Sequence, residues 1–199
     1  MRVLTVSDSV VPALYPLADR KSFGTIDLVV ACGDLPPEYL SYLAHVFNVP
    51  LYFVKGNHDI RFKGNPPGGC TDLNGRIVTF KGLRFLGLEG SMWYNGGPYQ
   101  YTEKQMRSHI RRLLPVIWWR RGIDVVVTHA PPRGIHDGED LCHQGFDGFW
   151  RLIQRYHPRY FLHGHIHAHF QDASERITHC GSTRVINTYG YHVLEIKPA

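Results

Sequence analysis

Histidine is the anomaly of this chain. It occurs 13 times in 199 residues, and His163, His165, His167 and His169 fall within one seven-residue stretch. Imidazole is the commonest protein metal ligand, so metal binding is the first chemistry to consider. Other donors follow short β-branched or apolar runs: Asp8 after Val6-Ser7, Asp34 after Ala31-Cys32-Gly33, Asn57, His58 and Asp59 after Val54-Lys55-Gly56, His129 after Val127-Thr128, and His165 and His167 after Leu162. Alternate residues of an extended segment point the same way, which puts His165 and His167 on one side. Asp8, Asp34, Asn57, His129, His165 and His167 offer two carboxylates, a carboxamide and three imidazoles. Such an oxygen and nitrogen set suits Mn, Fe, Ni, Co or Zn. It holds no thiolate, so a closed structural zinc site is a poor fit. Six donors are too many for one ion with an open position and suit two ions sharing a carboxylate. Taken singly, Asp8 and Asp34 read as turn residues, Asn57 and His58 as a polar turn, and His129 as a loop histidine. Their recurrence at five strand ends favours one common site.

For these residues to meet, the preceding strands must share an edge. Segments 2–6, 27–31 and 51–54 read as strands, and Leu40, Leu43, Ala44 and Phe47 mark a helix over 37–47 between the last two. That alternation implies βαβ units, whose ligand sites lie beyond the carboxyl ends of the strands. Glycines before Asp34, Asn57 and His165 would let the backbone turn sharply and approach an ion. Downstream, 76–80 and 84–88 form a hairpin, followed by a Gly-rich aromatic loop over 90–101. Thr102 and Gln105 form a capping box for a helix carrying Met106, Ile110, Leu113 and Ile117, which Pro115 should kink or end. Strand 123–127, a helix with Phe146, Phe149, Trp150 and Ile153, and strand 160–162 follow. Segments 176–179, 184–188 and 191–196 read as an antiparallel meander. No linker or repeat is visible, so residues 1–199 are expected to form a single domain.

Composition narrows the class. Hydrophobic residues make up 43% and charged residues 20%, which excludes a disordered chain. No apolar run approaches the ~20 residues of a membrane span, and the first eight residues hold no apolar leader. Cys32, Cys70, Cys142 and Cys180 show no CxxC spacing, which argues against a disulfide framework. A cytoplasmic protein with no membrane partner is the expectation. The net charge of +5 fits an anionic substrate but is small for a nucleic-acid groove.

Asp8-Ser9-Val10, Gly33-Asp34, Gly56-Asn57-His58-Asp59, His129 and Gly164-His165-Ile166-His167 resemble, in order and spacing, the motifs of the calcineurin-like metallophosphoesterase superfamily. The resemblance covers about residues 1–170 and is similar to its small bacterial-type members. It implies a four-layer αββα sandwich of two mixed β-sheets flanked by helices, with two divalent ions, manganese first among them. It implies that Asp34 bridges the ions, that Asn57, His129 and His165 complete the second site, and that Asp8 and His167 complete the first. It makes His58 the acid for the leaving group or a phosphate contact, oriented by Asp59. The sequence departs from the family at Val10, where the pattern has a ligand histidine, so the first site is expected to be weak.

Two cations ~3.5–4 Å apart would neutralise phosphoryl charge and activate a bridging water. The expected activity is hydrolysis of a phosphodiester or phosphomonoester, small molecule or nucleotide, by a metal-bridging hydroxide. The alternatives are a non-catalytic metal-binding interaction scaffold, which the retention of His58 disfavours, and a nuclease, which the modest charge disfavours. The loop over 93–99 would cover the site and stack on a flat group, or else pack on itself. Arg133, His136 and His143 are candidates for phosphate contact, and His163 for a hydrogen bond supporting a ligand.

Overall fold

The computed structural model describes residues 1–16 and 19–197. In chain order the strands are β1 (Arg2–Ser7), β2 (Leu28–Ala31), β3 (Leu51–Phe53), β4 (Cys70–Asp72), β5 (Ile77–Phe80), β6 (Leu83–Leu88), β7 (Ser91–Met92), β8 (Gln100–Tyr101), β9 (Val125–Thr128), β10 (Tyr160–His163), β11 (Ile177–Cys180), β12 (Thr183–Asn187) and β13 (Gly190–Glu195). The α-helices are α1 (Pro37–Phe47), α2 (Glu103–Trp119) and α3 (Asp147–Tyr156).

Side chains of a strand alternate between faces, and here both faces are apolar. Val125 and Val127 of β9 enter one core while Val126 enters another, and Val30 and Val29 of β2 are divided likewise. Two sheets result, ordered β13-β1-β2-β3-β4 and β11-β12-β10-β9-β6-β5. Their inner faces share a core that includes Val3, Val30, Phe85, Val127 and Leu162. The outer face of the first sheet packs on Leu40, Leu43 and Phe47 of α1. The outer face of the second packs on Met106, Ile110, Leu113 and Ile117 of α2 and on Phe149, Leu152 and Ile153 of α3. The architecture is the expected αββα sandwich of two mixed sheets. Gly87 lets the sheets close: a Cβ there would lie 2.3 Å from Leu73 Cβ.

An ionic cluster ties the layers near one edge. Lys55 Nζ lies 2.7 Å from Glu89 and 3.0 Å from Asp72, and Tyr101 donates to the other Glu89 oxygen at 2.8 Å. Burial opposes the Lys55 charge, but the two carboxylates outweigh it and raise its pKa.

The capping box forms as expected: Gln105 N–H donates to Thr102 Oγ1 and Thr102 N–H to Gln105 Oε1. One expectation narrows and another fails. α2 does not end at Pro115 but runs on to Trp119, held by the buried stripe that continues to Ile117. The tail is no three-stranded meander. β11 and β12 pair antiparallel, but β13 crosses to the other sheet and pairs antiparallel with β1. From there Leu194 and Ile196 enter the shared core from the side opposite Ile186 of β12. β4 and the short β7–β8 pair, inside the aromatic loop, carry no pattern long enough to read. No helix among the described residues is long and apolar enough to cross a membrane.

Candidate metal centre

β1, β2 and β3 run parallel, as do β9 and β10, so the motifs that follow them gather at the carboxyl edges of the two sheets. The edges are joined directly. His165 N–H reaches both oxygens of Asp8 at 3.0 Å, Thr188 Oγ1 donates to Ser7 Oγ at 3.0 Å, and His129 Nδ1–H donates to the Cys32 carbonyl at 2.8 Å. The glycines serve this approach, and only Gly33 also supplies a left-handed turn. A Cβ on Gly33 would meet His129 Nδ1 at 2.6 Å, one on Gly56 the Asp34 carboxylate, and one on Gly164 Asp8 Oδ2 at 2.6 Å. It is Asp8, Asp34 and His165 themselves that take positive φ, at 62°, 56° and 67°.

Asp34, His129 and His165 converge, with one donor atom from each lying within 4.8 Å of the others. Asn57 joins them, its Oδ1 3.1 Å from His129 Nε2, while Asp34 Oδ2 lies 3.3 Å from the same nitrogen. Each imidazole has its other nitrogen committed to a backbone carbonyl. His129 Nδ1–H donates to Cys32, and His165 Nε2–H donates to Cys142 at 2.7 Å. A carbonyl only accepts, so His129 Nε2 and His165 Nδ1 are left for the centre. That outer hydrogen bond is the usual support of a metal-binding histidine.

The electrostatics fit a cation. Burial opposes a charge on His129, but Asp34 outweighs it and raises the pKa to about 9. Burial also opposes ionisation of Asp34, and there His129 and the His58 amide win, lowering it to about 2. In the chain alone a proton thus sits among these oxygens, where a divalent ion would replace it. Burial and the nearby His129 lower His165 to about 4, leaving it neutral, as a ligand must be. The donor set therefore suits a divalent metal.

The remaining candidates are less enclosed or otherwise engaged. The Asp8 side chain is buried, and His167 Nε2 lies 3.7 Å from its Oδ1 with the imidazole 63% exposed and against Tyr189. Val10 brings no donor. His58 is exposed, its backbone N–H donating to Asp34 Oδ1 at 2.8 Å. Asp59 does not orient His58. Its carboxylate accepts from the amides of Asp34, Leu35 and Gly56 at 2.9, 3.0 and 2.8 Å. Being buried beneath the loop, it braces the two turns that carry Asp34 and Asn57. Burial raises it to about 7 despite those amides. His163 supports no ligand side chain: its Nδ1–H donates to the Gly164 carbonyl and its Nε2 accepts from His136. His143 pairs with Asp140 at 2.8 Å and lies against His165, and Arg133 is exposed near Asp137.

Two partners escaped sequence reasoning. Tyr94 OH accepts from Asn57 Nδ2 at 3.2 Å, which turns Asn57 Oδ1 inward. The Cys142 carbonyl fixes His165. The aromatic loop was a signal for Tyr94, but no spacing rule marks a backbone carbonyl. A cleft of about 180 Å³ beside the donors is lined by Pro36, Pro37, His58, Arg61 and Phe62.

Several known proteins are similar to this chain. Human metallophosphoesterase domain-containing protein 1 is 29% identical over 101 residues, covering 49% of this chain and 29% of that protein. Human lariat debranching enzyme is 26% identical over 160 residues, covering 60% and 29%. The chain thus spans less than a third of the length of these relatives. TT1561 of Thermus thermophilus superposes with a TM-score of 0.63 at 15% identity, over 95% of this chain and 89% of that one. GAP50 of Plasmodium gives 0.56 at 13%, over 94% and 70%. At such identities the structural likeness concerns the fold. The sequence profile of the calcineurin-like phosphoesterases matches residues 1–169, a span that includes every donor named above, and the chain belongs to that family of metal-dependent phosphoesterases.

Proposed function

We propose that this chain hydrolyses a phosphodiester or phosphomonoester of a small molecule or nucleotide at a centre for two divalent ions, manganese first among them. The observation that carries this reading is the convergence of Asp34, His129 and His165 within 4.8 Å, with each imidazole's second nitrogen held by a backbone carbonyl. In this reading Asp34 is shared, Asn57, His129 and His165 hold the tighter ion, and Asp8 and His167 hold the weaker one, which lacks a donor at Val10. When bound, such ions supply neutralisation of the phosphoryl oxygens and a water of lowered pKa.

The chain's own residues do the rest. His58, exposed beside the cleft and anchored to Asp34 through its amide, donates a proton to the leaving-group oxygen. The cleft walls of Pro36, Pro37 and Phe62 receive the leaving group. Asp59 holds the turns in register, and Tyr94 keeps the Asn57 oxygen inward. The half-exposed Trp93 beside Tyr94 favours a substrate with a flat group such as a base. Donors come from both sheets, and this reading takes residues 1–199 as one unit.

The test is hydrolysis of bis(p-nitrophenyl) phosphate and p-nitrophenyl phosphate by metal-stripped protein with Mn²⁺ added back. Restored turnover on either supports the proposal and separates diester from monoester. Mn²⁺ binding seen by calorimetry, with neither ester cleaved, would overturn it in favour of a non-catalytic scaffold.

A further inference from the structure

The chain's positive charge is concentrated on one face. Residues 103–121 and 147–156, which are α2 with its next two residues and α3, hold eight Lys and Arg against two carboxylates. That is a net of +6 on the outer helical layer, while the whole chain carries +5. The stripe of Met106, Ile110, Leu113 and Ile117 faces the sheet, so most of these cations face water. Between α2 and α3 a groove of about 740 Å³ is lined by Ile110, Leu114, Leu152 and Tyr156 together with Arg107 and Arg151. It lies away from the metal centre.

At its end α2 does something that folding does not ask of it. Trp118 and Trp119 are 83% and 70% exposed, and Val116 is exposed beside them. Arg111 and Arg112 precede this apolar tip by about two turns of helix, and Arg120 and Arg121 follow it. The Arg120 guanidinium lies 5.0 Å from the Trp119 ring. The tip is tied down: Arg84 Nη1 donates to the carbonyls of Arg120 and Arg121 at 2.8 and 2.5 Å, and Asp124 holds Arg84 through two further bonds. A large exposed apolar patch is informative in a way that a lone exposed leucine is not.

We propose that this tip docks on an anionic phospholipid surface. The indoles and Val116 enter the boundary between headgroups and acyl chains, where tryptophan's apolar body and polar N–H are both accommodated. The arginines keep their stems along the apolar surface and their guanidinium groups at the lipid phosphates. The +6 layer draws the chain to the negative surface, and the groove's basic residues lie on the same face. Two observations favour lipid over other partners. Aromatic rings would stack on nucleic-acid bases, but Val116 and Pro115 offer bases nothing to stack on, whereas hydrocarbon suits them. The tip also projects from a helix end instead of lining a concavity, where protein hot spots are usually packed.

The placement leaves the metal centre free. α2 leads through Gly122 and Ile123 into the amino end of β9, and His129 follows the carboxyl end of the same strand. Tip and centre therefore lie at opposite ends of the strand. The inference does not depend on the proposed hydrolysis. It departs from the expectation of no membrane partner, which rested on the lack of an apolar run long enough to span; an interfacial anchor needs no such run.

The experiment is flotation of the full chain with phosphatidylcholine vesicles containing about one-third phosphatidylserine, with pure phosphatidylcholine as control. Binding should require the anionic lipid and fall steeply at about 0.5 M salt. Brominated lipid should quench tryptophan fluorescence. Trp118→Ala with Trp119→Ala should weaken binding by about tenfold or more and abolish the quenching, with melting temperature and ester hydrolysis unchanged. Arg112→Glu with Arg120→Glu should weaken binding by a similar factor. No flotation with anionic vesicles overturns the proposal, as does binding that survives loss of both tryptophans. Single-stranded oligonucleotide quenching the same indoles in the absence of vesicle binding would also overturn it.

Discussion

Asp59→Ala removes the shared acceptor of three amide N–H groups. Asp34 and Gly56 donate to Oδ2 and Leu35 to Oδ1, all within 2.8–3.0 Å. A buried donor left without a partner costs about 1–3 kcal/mol. Three such groups in one loop relax together and do not simply add, so the expected loss is about 4 kcal/mol, a large share of the ~5–15 kcal/mol of a typical domain. Asp59→Asn keeps the shape and can still accept from Asp34 and Gly56. It turns an NH2 group against the Leu35 amide, so it should lose about 2 kcal/mol, less than alanine does. His58→Ala next door deletes an exposed imidazole and leaves its anchoring backbone amide in place, so it should stay within about 0.5 kcal/mol of wild type. The assay is urea unfolding followed by circular dichroism near pH ~5, below the value of about 7 to which burial raises Asp59, because above it the fold carries the cost of a buried charge that either substitution would relieve. Calorimetry with Mn²⁺ gives the second reading: Asp59→Ala should weaken binding by about 10–100-fold, because the turns carrying Asp34 and Asn57 lose their brace. The reasoning is refuted if Asp59→Ala unfolds within about 1 kcal/mol of wild type, or if His58→Ala proves as destabilising as Asp59→Ala.

Four further outcomes follow. His58→Ala should lower turnover of an ester with a poor leaving group by about 10²–10⁴-fold while metal content, measured by emission spectrometry, stays at the wild-type value. Tyr94→Phe frees the Asn57 amide to rotate and should weaken Mn²⁺ binding by about tenfold in a calorimetric titration; unchanged affinity would show that Asn57 needs no such partner. Chelation should lower the melting temperature, and Mn²⁺ should restore it in proportion to the logarithm of its concentration, because the donors come from both sheets. Burial opposes ionisation of Asp124, but Arg84 outweighs it and lowers the carboxyl. Its stabilisation is therefore full above the unfolded value of about 3.9 and is lost as pH falls through the lower folded value. Asp124→Asn should then cost about 3 kcal/mol near neutrality and progressively less in melts below pH ~4.

The strands that carry chemistry were legible because each couples a β-branched run to a polar residue with few other reasons to be there. Val127-Thr128-His129 and Leu162-His163-Gly164-His165 each state both the strand and the candidate donor after it. The four layers were reachable through the resemblance, and the structure shows their local cause in Val125, Val126 and Val127, which feed two different cores. What stayed hidden depends on distance in the chain. Asp59 lies beside His58 in sequence, yet its carboxylate turns to Asp34 and Leu35, more than twenty residues away. β13 reads as a continuation of β12 until its register with β1, nearly two hundred residues away, is seen. Pro115 is a helix breaker by local rule, and the packing of Ile117 on the sheet overrides it. The Cys32 and Cys142 carbonyls that orient the two buried imidazoles have no sequence signature, since every residue carries one.

Asp8, Asp34 and His165 all occupy the left-handed region of backbone space, where a Cβ is disfavoured by about 1–2 kcal/mol. Glycine or asparagine would sit there with less strain, and histidine is the worst suited of the residues present. Local conformational preference and chemical need therefore pull in opposite directions at three positions of one edge. Selection for stability alone would steer His165 towards glycine or asparagine. In a lineage that gave up the chemistry but kept the fold, these three positions should be among the earliest to drift in that direction, ahead of the core around Val126. On the proposed function, a copy of this fold with glycine at the position of His165 and its strands intact would thus be read as a protein released from catalysis, not as one in decay.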